Sequence, residues 1–126
     1  MATRELSAQD FESVVTAPGI TLVDWWAEWC GPCRAFAPVF EAASEAHPEI
    51  TFAKVDTEAE QALSGAAGIR SIPTLMAFRD GVLVFAQPGA LPAPALEQVI
   101  SAVEGLDMEK VFAELEKQEA EAPQQQ

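Results

Sequence analysis

Val23-Asp24-Trp25-Trp26-Ala27-Glu28-Trp29-Cys30-Gly31-Pro32-Cys33 carries an apolar run into two cysteines three positions apart. The run reaches back to Ile20, and Ile20–Trp26 is apolar on both alternating faces except at Asp24. That is the pattern of a strand covered on both sides, so it is predicted to be central in a sheet. Beyond Cys33 the spacing of Phe36, Val39, Phe40 and Ala43 is helical to about His47. Pro38 inside that helix lacks a backbone donor and is expected to bend its axis.

Working outward, Thr51–Asp56 reads as a second buried strand, and Glu58 to about Ala67 as a short helix closed by Gly68, which makes a β-α-β unit. Thr74–Phe78 and Val82–Gln87 flank Arg79-Asp80-Gly81, whose Asp-Gly pair predicts a hairpin and so an antiparallel addition to the sheet. Upstream, Ser7 to Asp10 ahead of Phe11, Val14 and Val15 starts an amphipathic helix that ends before Pro18-Gly19. Downstream, Pro92–Val103 gives another through Leu96, Val99, Ile100 and Val103. The expected fold is α/β, a central mixed sheet flanked by helices on both faces. After residue 104 the character changes: Asp107 can cap an extra C-terminal helix with Met108, Val111, Phe112 and Leu115 on one face, and the end at Pro123-Gln124-Gln125-Gln126 is expected to be disordered. The expected division is therefore a domain at 1–104 and an acidic amphipathic helix with tail at 105–126.

The chain has 126 residues, 49% of them hydrophobic and 21% charged, enough for one packed core and too apolar for disorder throughout. A formal charge of -13 repels polyanions, so nucleic acid and anionic membrane are poor partners. No apolar run approaches the roughly 20 residues that cross a bilayer, and the opening residues lack an apolar signal region, so a cytoplasmic, soluble protein is expected.

Cys30 and Cys33 are the only cysteines. Closing so short a loop stabilises a fold by only about 2 kcal/mol in the chain-entropy estimate, against about 4.7 for a hundred-residue loop, so the pair is expected to serve chemistry. Cys30 falls at a helix N-terminus, where unpaired backbone donors and the helix dipole favour a thiolate and lower its pKa. Residues three apart at a helix start lie on one side, within the span a disulfide needs. Pro32 fits a first turn that needs no donor, and Gly31 leaves room for another backbone. On this reading Cys30 is the more exposed thiol and Cys33 points into the turn. Asp24 shares a strand face with Ile20, Leu22 and Trp26, so its carboxyl is expected to be desolvated with a raised pKa; a solvated strand-edge carboxylate is the alternative.

The Trp29-Cys30-Gly31-Pro32-Cys33 motif with its upstream strand, then Gly68-Ile69-Arg70-Ser71-Ile72-Pro73-Thr74, then Asp80-Gly81 and Gly89-Ala90, closely resembles the thioredoxin family over about residues 6 to 104. The resemblance implies the thioredoxin fold and a protein-disulfide reductase. It makes Cys30 the attacking thiolate and Cys33 the buried resolving thiol. It makes Asp24, with Lys54 beside it, the general base toward that thiol, usually through water. It implies a cis bond at Pro73 facing the disulfide, and a docking surface of Trp29, Gly31, Pro32, Ile72, Pro73, Gly89 and Ala90. No cofactor is implied for this chain; FAD and NADPH belong to the thioredoxin reductase that would recharge it, and the other partners would be disulfide-containing clients of a monomer. Two rivals remain: a disulfide oxidase or isomerase on the same fold, disfavoured by the Gly-Pro between the cysteines, and a binding module with dispensable cysteines. Trp25 and Trp26 are expected to pack, as is His47 near a helix end, and no metal site is expected because one His with Cys-x-x-Cys lacks zinc spacing. Arg34 can favour a thiolate or lie solvated, and the glutamates at 28, 41, 45 and 58 are most simply solubilising.

Overall fold

In a computed structural model that describes residues 2–121, ten elements follow in the order β1 (Thr3–Glu5), α1 (Ala8–Val15), β2 (Ile20–Trp26), α2 (Gly31–Ala46), β3 (Thr51–Asp56), α3 (Gln61–Ala66), β4 (Thr74–Arg79), β5 (Val82–Pro88), α4 (Ala93–Glu104) and α5 (Met108–Glu121). The expected disorder at Pro123–Gln126 lies outside the described residues. The five strands form one sheet in the order β1-β3-β2-β4-β5, with β2 central. β2 pairs parallel to β3 and antiparallel to β4, and β1 joins β3 in parallel.

Each face of the sheet has its own core. Leu22, Phe52 and Leu75 meet Phe36 and Phe40 of α2 and Leu96 and Ile100 of α4. On the other face Val23, Trp25 and Val55 pack with Val15, Phe11 and Leu63, the Phe11 ring lying 5.5 Å from that of Trp25. The alternation that marks β2 as central thus feeds two cores at once.

Two features differ from expectation. β1 is unpredicted: three largely polar residues have no apolar alternation, and the strand exists because Leu6, 3% exposed, anchors in the core while its amide donates to the Lys54 carbonyl at 2.8 Å. α3 starts later than Glu58, because the Asp56 carboxylate accepts from the amides of Glu58 and Ala59 and holds a turn there. α2 begins at Gly31 with Cys30 as its cap, where the sequence places the helix N-terminus, and runs on through Pro38. At the hairpin, Asp80 and Gly81 both take positive φ (52° and 83°), as an Asp-Gly turn requires.

Candidate active site

The end of β2 delivers the chain to Trp29 and Cys30, and α2 begins at once. Cys30 caps the helix in extended geometry, and its Sγ accepts a hydrogen bond from the Cys33 amide at 3.2 Å. A sulfur so placed is bonded to an otherwise unsatisfied helix donor, the arrangement that favours negative charge at that atom. Cys30 and Cys33 form a disulfide across Cα atoms 5.2 Å apart. With Ala27, and with Trp26 and Ile72 against them, they make a third small apolar cluster. Exposure hardly separates the two thiols, contrary to expectation: in this oxidised state Cys30 is 4% and Cys33 3% exposed, with Ile72 and Trp26 packed against their cluster. The distinction between them lies in hydrogen bonding.

Ile72-Pro73 is a cis peptide, and the Ile72 carbonyl oxygen sits 3.7 Å from Cys30 Sγ. Pro73 itself is less than 2% exposed, and its carbonyl accepts from the Gly89 amide at 2.7 Å. That bond draws Gly89 and Ala90, both exposed, to the same end of the sheet. Gly31 and Pro32 are exposed in the first turn of α2, Ile72 is half-buried, and Trp29 is 66% exposed, the largest apolar side chain left to solvent. Arg34 donates to the Glu28 carbonyl at 3.1 Å, bracing the loop that presents Trp29.

Sequence reasoning missed a groove beside this surface, lined by Trp29, Glu58, Gln61, Arg70, Ser71 and Ile72. Arg70 and Ser71 directly precede Ile72-Pro73, and the charged ends of β3 and α3 have no pattern that would have assigned them to it.

Asp24 is fully buried in β2, and among the described residues neither carboxylate oxygen has a hydrogen-bond partner. Burial pushes its pKa up to about 7, against the pull of Lys54 and with a further push from Glu5. The solvated alternative for Asp24 is therefore not the geometry seen. Lys54 is its register partner on β3, with Nζ 4.8 Å from the centre of the Trp26 ring. Trp26 shares the strand face of Asp24 and packs against the two cysteines, so the carboxyl, the ammonium and the disulfide belong to one layer.

At the far end of α2, His47 Nε2 lies 2.9 Å from Glu97 of α4, and that hydrogen bond raises the imidazole pKa. His47, Glu49 and Glu104 also bring ligand-type atoms within 4.8 Å of one another, a grouping sequence spacing did not suggest; all three belong to a solvent-facing helix-end network. Among the described residues no helix is long and apolar enough to cross a membrane.

The thioredoxin family model matches residues 2–102. The chain is 52% identical over 121 residues to a protein of Streptomyces coelicolor named as its thioredoxin 2, covering 96% of this chain and 90% of that one. It is 37% identical over 102 residues to the thioredoxin of Bacillus subtilis, covering 80% of this chain and 97% of that one. A solved thioredoxin from Plasmodium falciparum superposes with a TM-score of 0.73 at 32% identity, covering 79% of this chain and 97% of that one. With a redox-active cysteine pair at a helix tip on this sheet, the chain belongs to the thioredoxin family and is a thiol-disulfide oxidoreductase that acts as a protein-disulfide reductase.

Proposed function

We propose that Cys30 is the attacking sulfur and Cys33 the resolving one. The observation that carries this is the amide of Cys33 donating to Cys30 Sγ at the head of α2. In the reduced chain the Cys30 thiolate attacks one sulfur of a client disulfide, forms a mixed disulfide and expels the other client sulfur as a thiolate, which takes up a proton. Cys33 then loses its proton, attacks Cys30 Sγ and expels the second client thiolate, which is protonated in turn. Two electrons and two protons have passed to the client, and the Cys30–Cys33 disulfide is left.

Asp24 is the base toward Cys33 in this proposal. Its carboxyl is sealed from bulk solvent and poised near neutrality, the range in which a general base works best, and Lys54 moderates its charge. Trp29, Gly31, Pro32, Ile72, Gly89 and Ala90 take the client backbone and apolar side chains over Pro73. A thioredoxin reductase carrying FAD and NADPH returns the electrons. The working unit is residues 1–104, acting as a cytoplasmic monomer on disulfide-containing clients.

The test is insulin disulfide reduction with NADPH and a cognate thioredoxin reductase. Cys30→Ser is expected to abolish turnover, and Cys33→Ser to accumulate mixed disulfides separable by non-reducing electrophoresis. Full turnover by Cys33→Ser would overturn the assignment.

A further inference from the structure

Across β1, β3 and β2 the register places Glu5 opposite Lys54 and Lys54 opposite Asp24, so three ionisable residues stand in one row on one face of the sheet. Asp24 is the sealed inner end of that row and Glu5 its exposed outer end at the sheet edge. In the register one lysine therefore stands between two acidic residues. We propose that Glu5 is a positioning residue for Asp24: by competing for the Lys54 ammonium from the open edge of the sheet, it keeps that charge from being spent on Asp24 alone and so sets the pH at which Asp24 takes up its proton.

The surroundings leave Lys54 as the shared cation. Asp56, two residues along β3 on the same face, repels Glu5. On α2, which covers this face, Glu41 accepts from the Thr3 hydroxyl at 2.7 Å and adds no positive charge, and Arg34 is turned to the Glu28 carbonyl. Lys54 Nζ is steered by the Trp26 ring, which keeps it in the layer of the row. Glu5 is itself held above the usual carboxylate range, chiefly by partial burial, with Lys54 opposing. Protonating Glu5 thus releases Lys54 to Asp24, and the two carboxyls titrate as a coupled pair.

The inference concerns the titration of Asp24, and its bearing on turnover rests on the base role proposed above; the experiment separates the two. The Asp24 carboxyl carbon is followed by NMR against pH in the oxidised full-length chain, and the pH profile of insulin reduction is recorded in parallel. Glu5→Gln is expected to move the Asp24 midpoint to lower pH by about half a unit, the size of one partly screened charge at that range. Glu5→Asp, which keeps the charge, is expected to restore most of it. In a Lys54→Met background the effect of Glu5→Gln is expected to shrink, since the shared cation is gone. A midpoint unmoved by Glu5→Gln, or moved equally with and without Lys54, overturns the inference whatever the activity shows. If the midpoint moves while Asp24→Asn leaves the activity profile unchanged, the inference stands and the base role falls.

Discussion

A carboxyl with no hydrogen-bond partner in a folded core is costly when charged, and Asp24 shows where that cost falls on the pH scale. Its pKa rises from 3.8 to about 7, so between those values the folded chain holds a proton that the unfolded chain has released. Stability therefore falls as pH rises from about 4 to about 7 and is flat on either side as far as this group is concerned. The difference corresponds to about 4 kcal/mol as an upper bound. Asp24→Asn removes the titration, so its stability relative to the parent is expected to grow by up to that amount between pH 4 and pH 8. Urea unfolding at both pH values measures it, and a pH-independent difference would show that the carboxyl is not strained. The burial of Asp24 was legible from one acidic letter in an apolar strand. Its coupling to Glu5 was not, because that depends on an edge strand without a sequence pattern.

Elements with a strong period or a turn signal are legible in the sequence, and the edge strand β1, which exists only by pairing with β3, is not. β2, α2, the β4–β5 hairpin and α4 follow from apolar spacing and one Asp-Gly pair. The start of α3 was displaced by a side chain turning back on the backbone at Asp56, which periodicity does not register. Arg79 shows the same limit. It reads as a turn residue, yet Nη1 donates to the carbonyls of Val103, Glu104 and Leu106 at 2.8, 3.1 and 2.9 Å, closing the C-terminal end of α4 from the adjoining strand β4. Such carbonyls have no intrahelical partners, and a cation there also meets the negative end of the helix. Arg79→Met keeps the aliphatic stem and removes the donor, so it is expected to cost about 2 kcal/mol in urea unfolding, with insulin reduction unchanged because the contact is remote from Cys30. A loss below about 0.5 kcal/mol would mean that water caps α4 equally well.

At the scale of the whole molecule the question is what α5 adds to the sheet and the four helices before it. The structure leaves no residue of Met108–Glu121 buried, and Phe112 is 41% exposed. Val111 and Leu115 face Val82 and Val84 of β5 across an open groove, so α5 rests on the edge strand without sealing it. The Arg79 contacts end at Leu106, before α5 begins. A chain ending at Asp107 therefore retains both sheet cores, the cap on α4 and every residue of the redox site. Its melting temperature is expected to fall by roughly 5 °C or less, about 1 kcal/mol for a domain of this size, with turnover of insulin unchanged. In the full chain the amides of α5 are expected to exchange with solvent much faster than those of α2, as a helix with few buried contacts should. A fall above about 10 °C, or exchange in α5 as slow as in α2, would make the last helix part of the cooperative core and overturn the division at residue 104.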